Sequence, residues 1–491
     1  MQLIIQNLGS IKQGEIDLTK KFYVLVGYNN TGKTYVSQLL WSIFNEDTIE
    51  NFSKQVEMKE LHFELETKSH FEITPEIVSQ ILEEFASFLK QKVIPKIFHV
   101  DLSHFILKEF SLRFKYDINR IKSCQTISAV ILGANVFTFF KEKDSFLVKV
   151  TQENVPKDLL DGISNRLQLS SLAPTFYEFL LGLLLNNTSQ QPIFLPANRS
   201  FYPMFYSDIF RLTKEKEREK GREMKQDLSN LFKELLEKRK NGQEIALESE
   251  LKLTNSLNND YTEPMNVLFD KLYRLNENMT AENHYEHLVS EMTKILGGTL
   301  IMSKKEGIAP ITFGFKPSKH NEHLSLFLSS AAVNQLSTLY LYFKYWAHKE
   351  NNFLMIDEPE ENLHPTNQLA LLNILLDFAQ VNNNKVLITT HSPLLADAVN
   401  NYLYLFWLKS QNVDVNQILE DDYPDINPDI NLTTDDIAIY FFDGSRIIPL
   451  KRGDYGVLFS DFNASLRKIN KISLALTHKM SQLLNDDDEE D

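Results

Sequence analysis

The strongest constraint on this chain is the stretch Gly27-Tyr28-Asn29-Asn30-Thr31-Gly32-Lys33-Thr34, set between the apolar run Phe22–Val26 and a segment of helical spacing, Thr34–Phe44. An apolar run without polar alternation reads as a strand buried on both faces. Glycines at both corners of the connecting loop permit backbone angles that other residues avoid. They also let the loop N–H groups approach an anion closely. The N-terminus of the following helix adds partial positive charge. The full G-x-x-x-x-G-K-T spacing therefore predicts a phosphate cradle formed by Gly27, Asn29, Asn30, Thr31, Gly32 and Tyr35. In it, Lys33 reaches the β- and γ-phosphates and the Thr34 hydroxyl ligates Mg²⁺.

Two later segments supply what such a cradle needs for chemistry. Phe353-Leu354-Met355-Ile356-Asp357-Glu358-Pro359 is an apolar strand that delivers two adjacent carboxylates to its C-terminal end, where open α/β sheets bind ligands. Asp357 is expected to hold Mg²⁺, directly or through water, and Glu358 to orient and deprotonate the attacking water. Thr389-Thr390-His391-Ser392-Pro393 follows the next strand, Lys385–Ile388. His391 is expected to bond the γ-phosphate and that water.

Around these segments, strands and helices alternate: Phe353–Ile356, Gln368–Gln380, Lys385–Thr389, Pro393–Asn400 and Tyr402–Phe406, with a closing strand Ile437–Phe442 and a turn at Asp443-Gly444. Alternation predicts a parallel sheet with covering helices. The expected fold class is α/β: a P-loop NTPase head with a mixed or parallel sheet, plus a helical insertion carrying a short charged segment. The head divides into 1–45 and 284–445. Residues 46–190 read as a mostly helical arm, 191–283 as a strand plus a charged helical insertion, and 446–491 as a terminal helix and acidic tail. Residues 211–240 carry eleven basic and seven acidic side chains, with leucines at helical spacing, giving an amphipathic helix or half of a hairpin.

Composition narrows the function classes. The net charge of −15 argues against a surface that is basic all over, so nucleic-acid contact would need a local patch. Cys124 is the only cysteine, which excludes intrachain disulfides and cysteine-rich zinc sites. Neither a signal peptide nor an apolar run of membrane-spanning length is read, so the expected location is cytoplasmic, with no membrane partner.

The order of cradle, long insertion, serine-containing motif, acidic pair and T-H-S resembles the ABC-type ATPases of the SMC, RecF and OLD group. Asp357-Glu358-Pro359-Glu360-Glu361-Asn362-Leu363-His364-Pro365 resembles the D-E-P-E-x-x-L-H-P run of the OLD-like branch. The resemblance covers residues 1–45, 190–203 and 284–445. It implies ATP and Mg²⁺ as ligands and a homodimer whose heads sandwich the nucleotide, a higher oligomer being left open. Each cradle would face its partner's signature motif, with Asn362 at the seam. Ser330 in Ser329-Ser330-Ala331-Ala332 would be the γ-phosphate ligand offered across the dimer. Relatives carry glycine where Ala332 stands, which implies slow hydrolysis. Pro196–Ser200 resembles the P-A-x-R-S stretch of these relatives, where Arg199 would contact phosphate or the partner head.

OLD nucleases add a metal-dependent nuclease domain after the ATPase, and the residues after Asn401 read as too few for one. The arrangement resembles the stand-alone ATPase subunits of bacterial anti-phage systems such as Septu and PARIS. These imply a sensor or scaffold that controls a separate nuclease or toxin effector, triggered by DNA or a phage protein. Two other readings stand beside it: a RecF- or SMC-like DNA-repair ATPase that clamps DNA, and a scaffold that holds ATP with negligible turnover.

Overall fold

The structure, a computed structural model, describes residues 1–56, 70–132, 135–154, 173–185, 192–204, 262–275, 279, 281–282, 284–303, 311–419, 426–451, 457, 468 and 470–477. The charged segment 211–240 and the acidic tail 486–491 lie outside them. Two compact units emerge, Met1–Ala197 with His348–Asp491, and Asn198–Ala347.

The first unit is organised by a nine-stranded mixed sheet. Its strands are β1 (Gln2–Leu8), β2 (Ile11–Asp17), β3 (Phe22–Gly27), β5 (Ser111–Lys115), β9 (Ile193–Leu195), β13 (Phe353–Asp357), β14 (Lys385–Thr390), β15 (Ile437–Phe442) and β16 (Arg446–Pro449). They lie in the order β5-β1-β2-β16-β15-β3-β14-β13-β9. From β15 to β9 every pairing is parallel. Every residue of β3, β13 and β14 is buried, which explains their unbroken apolar sequences. At the other end β1 pairs antiparallel with β2 and β5, and buried positions interleave with half-buried ones along β1 and with exposed ones along β2. Half-solvated antiparallel strands take that pattern.

Helix Lys33–Phe44 packs on the parallel strands, and its Trp41 Nε1 donates to Pro192 O at 2.8 Å, tying it to the start of β9. Helix Pro365–Gln380 joins β13 to β14 and packs on β14. Next comes helix Pro393–Ser410, capped by the Ser392 hydroxyl, which accepts from Leu395 N. Tyr402–Phe406, expected as a strand, is the second half of this helix. Leu395, Val399, Tyr402 and Phe406 are buried at helical spacing, and that periodicity outweighs the strand preference of a local Tyr-Leu-Tyr-Leu-Phe run.

Residues 46–190, expected as a mostly helical arm, contribute helices Glu46–Gln55, Pro75–Phe88 and Ala173–Leu185 and also build a separate four-stranded antiparallel sheet. Its strands, β4 (His70–Glu72), β6 (Thr126–Leu132), β7 (Asn135–Lys141) and β8 (Leu147–Asn154), lie in the order β4-β8-β7-β6.

The second unit holds a three-stranded antiparallel sheet, β10 (Gly298–Ser303), β11 (Thr312–Pro317) and β12 (Leu324–Ser325). Beside it helix Glu286–Leu296 packs against helix Ala331–Leu341, which runs on through a widened π-type turn, Tyr342–Trp346. The serine-containing motif thus belongs to this unit, whereas the sequence reading grouped it with residues up to 445.

The close fit of β3 to β15 yields a test. A Cβ on Gly27, whose φ is +148°, would lie 2.5 Å from Phe442 O. Gly27→Ala is expected to lower stability by about 1–3 kcal/mol, read from chemical denaturation; an unchanged midpoint would contradict the packing described.

Candidate functional site

The loop after β3 owes its shape to backbone angles that few residues adopt. Gly27, Asn30 and Gly32 have φ of +148°, +62° and +92°. Asparagine is among the few non-glycine residues that tolerate this region. Gly32 sits at the N-terminus of helix Lys33–Phe44 and gives it no side-chain cap, so first-turn N–H groups face the loop's interior, as an anion site requires. Lys33 is buried and curls back, its Nζ donating to Tyr28 O at 2.8 Å and Gly27 O at 3.2 Å. Burial lowers its pKa to about 8, against the opposing pull of Glu358, Asp357 and Glu360.

β13 brings the acidic pair alongside. Asp357 lies opposite Thr389 in the parallel register of β13 and β14. Its carboxylate is buried between two hydroxyls: Thr34 Oγ1 donates to Oδ2 at 2.8 Å and Thr389 Oγ1 to Oδ1 at 3.0 Å. Burial raises its pKa to about 6 even though both hydroxyls stabilise the ionised form. At Glu358 the strand ends: φ is +47°, and the backbone N–H donates to Thr389 O at 3.0 Å. The Glu358 side chain meets His391, with Oε1 3.2 Å from Nε2. Burial, then Lys33, lowers the His391 pKa below its ordinary value, while Glu358 and a hydrogen bond to the Gly27 backbone pull it up. His391 Nε2 and Glu358 Oε1 are thus placed to share a hydrogen bond.

A cavity of about 500 Å³ lies between the loop and the acids, lined by Asn29 to Tyr35 together with Glu358, Thr389 and His391. Its chemistry fits a magnesium nucleotide. Thr34 Oγ1 and Asp357 Oδ2 are adjacent hard oxygens of the kind that hold Mg²⁺ beside substrate phosphates. The ion would neutralise phosphate charge and replace the proton that burial favours on Asp357. Among the residues anticipated from sequence, Gly27, Lys33, Thr34, Asp357, Glu358 and His391 converge here, and Asn29, Asn30, Thr31, Gly32 and Tyr35 line the wall. Tyr35 is steadied edge-on by Phe98, ring centroids 5.3 Å apart.

Arg199 and Ser330 lie in the other unit and outside this lining. Arg199 is fully buried, its Nε donating to Gln335 O at 3.0 Å and its own carbonyl accepting from Thr338 Oγ1 at 3.3 Å. Through those contacts Arg199 braces helix Ala331–Leu341 from within. Ser330 is exposed and caps that helix, accepting from Val333 N at 3.3 Å. Sequence reasoning missed Thr389 as a holder of Asp357. It also missed Glu360, whose Oε1 accepts from Thr390 Oγ1 and from the N–H groups of His391 and Ser392. The cross-strand register was the signal for Thr389, but it becomes readable only once β13 and β14 are paired.

Glycine loop, adjacent acids at a strand end and mixed sheet together define an α/β P-loop nucleotide-binding fold. The chain belongs to the AAA ATPase domain family, whose model matches residues 1–396. Among solved structures it is similar to an Smc head domain with an extended coiled coil bound to the C-terminal domain of ScpA, from Pyrococcus furiosus, at 12% identity and TM-score 0.31, covering 96% of this chain and 98% of that one. It is also similar to an SmcHead bound to the C-winged helix domain of ScpA, at 10% identity and TM-score 0.32, covering 92% and 97%. A third is the SMC head domain from Thermotoga maritima, at 10% identity and TM-score 0.28, covering 92% and 98%. No curated protein matches the chain. No helix among the described residues is long and apolar enough to cross a membrane.

The buried carboxylate has a pH signature. An unfolded chain ionises this carboxyl near 3.8, the folded one near 6. Between those values the folded state binds more protons, so stability falls as pH rises and the penalty persists above pH 6. Without nucleotide, Asp357→Asn is expected to gain about 1–3 kcal/mol at pH 7 and less at pH 5. Urea titrations at both pH values read this, and an Asn variant less stable than wild type at pH 7 would refute it.

Proposed function

We propose that the chain binds ATP with Mg²⁺ and hydrolyses it in the cavity between the glycine loop and the acidic pair. The observation that carries this reading is the convergence of Lys33, the Thr34–Asp357 oxygen pair and the Glu358–His391 pair on one cavity. Lys33 would leave its own loop carbonyls to meet the terminal phosphates, gaining charge as its pKa recovers from burial. Thr34 and Asp357 would hold the metal. Glu358 would accept a proton from the attacking water, and His391, already bonded to it, would fix the carboxylate and meet the γ-phosphate.

Two heads are proposed to close on sandwiched nucleotides, with Ser330 offered to the partner's γ-phosphate. Supporting this, Ser330 stands exposed at a helix N-terminus, and the neighbouring Phe327 and Leu328 are 60% and 75% exposed, an apolar surface of the sort that interfaces cover. Asn362, proposed at the seam, is exposed with φ of +61°. Ala332 in place of glycine favours slow turnover. At the level of biology, the resemblance of the D-E-P-E-x-x-L-H-P run supports a sensor or scaffold subunit of an anti-phage complex, governing a separate nuclease or toxin.

Lys33→Ala is expected to abolish nucleotide binding in a fluorescent-ATP titration; wild-type affinity would sink the assignment. Glu358→Gln should hold ATP unhydrolysed and stabilise a dimer, so a monomer in size-exclusion chromatography with ATP and Mg²⁺ would refute the sandwich. Expressed with its genomic neighbours, the wild type should reduce phage plaquing and Lys33→Ala should not. Equal plaquing with and without the intact system would dismiss the defence role.

A further inference from the structure

We propose that Glu360 is the positioning residue that holds the His391 loop against Glu358. The inference rests on the hydrolytic reading above, because His391 matters to it only as Glu358's partner. Three donors of the loop converge on one oxygen: Glu360 Oε1 accepts from Thr390 Oγ1 at 2.6 Å, His391 N at 2.9 Å and Ser392 N at 3.1 Å. The second oxygen, Oε2, is buried and has no partner among the described residues. An oxygen that accepts three bonds fixes its donors in place, because losing it would leave them without that acceptor.

The geometry explains what the clamp achieves. Glu358 and Glu360 come from one tight turn, closed by Glu361 N donating to Glu358 O and Leu363 N to Glu360 O. One acid of this turn meets the His391 imidazole, and the other grips the His391 backbone from behind. The turn that places the water-activating carboxylate therefore also places its partner, which keeps their 3.2 Å separation independent of drift between β13 and β14. Helix Pro365–Gln380 adds a lesser tether, its Gln368 Oε1 accepting from Ser392 Oγ at 3.1 Å.

Because the three bonds end on a single oxygen, a glutamine carbonyl can reproduce them and an alanine cannot. That difference separates positioning from bulk charge. In the full chain, Glu360→Ala is expected to raise amide exchange at residues 391 and 392 at least ~10-fold. It should also lower kcat for ATP ~10–100-fold, while the Kd for a fluorescent ATP analogue stays within about twofold. Glu360→Gln should retain protection, kcat and Kd. Unchanged exchange and kcat in Glu360→Ala would overturn the proposal, as would a glutamine variant as slow as alanine with the loop still protected. Should Glu360→Ala fail to fold, Thr390→Val removes one of the three donors and should cut kcat several-fold with Kd intact; no effect would count against the clamp. Amide exchange needs no turnover, so a wild type that binds but never hydrolyses ATP refutes the hydrolytic reading and leaves the clamp to be judged by exchange alone.

Discussion

The Asp357 carboxylate joins three parts of the chain that are far apart in sequence: the end of β13, the helix that follows the glycine loop, and β14. It does so from a buried position in which an isolated carboxylate is costly and the two hydroxyls offset only part of the cost. That leaves an acid whose affinity for a cation is raised by its surroundings. The glycine loop, the lysine and the second acid all take their places around this one group. Its position follows from the fully buried parallel strands β3, β14 and β13, which end at the same edge of the sheet.

Charge at that edge is deliberately unbalanced. Asp357, Glu358 and Glu360 all act electrostatically on Lys33, and a single ammonium does not neutralise three carboxylates. Divalent metal restores the balance and brings phosphate with it, so nucleotide and ion are expected to bind as a unit. The acids differ in what they face. Asp357 stays within the strand, a left-handed residue turns Glu358 toward the imidazole, and Glu360 lies where only backbone and hydroxyl donors reach it. Three identical functional groups thus receive different tasks from three or four residues of backbone.

Much of this was legible in the amino-acid sequence because phosphate and metal chemistry tolerate few spacings. A loop that must present N–H groups and one lysine to an anion has to carry glycines at Gly27 and Gly32. A metal acid has to stand at the end of an apolar strand. Less legible were the residues whose roles depend on pairing. Thr389 matters because register sets it opposite Asp357, and Glu360 because the chain folds back past Pro359. Arg199 was singled out through the P-A-x-R-S resemblance, which carries no sign of its buried bond to helix backbone. Tyr402–Phe406 misled in the opposite way, since aromatic residues favour strands locally while burial every three or four residues fixed a helix. The antiparallel sheet of β4 and β6 to β8 had no motif to announce it. The fold class itself survived, because it is set by the central strands rather than by the insertions.

The position of β3 between β14 and β15 carries a consequence for biogenesis. β3 finds both lateral neighbours only after several hundred further residues have been made; Asp17 N, likewise, donates to the hydroxyl of Tyr440, 423 residues later. At ribosomal rates the delay is roughly 20–80 s. Through that interval an apolar five-residue stretch with strand preference has no native edge to join, a circumstance that invites aggregation or chaperone capture. Competence to bind nucleotide consequently waits on β13 and β14, and a nascent chain arrested before them would emerge with its glycine loop synthesised but without the opposing wall.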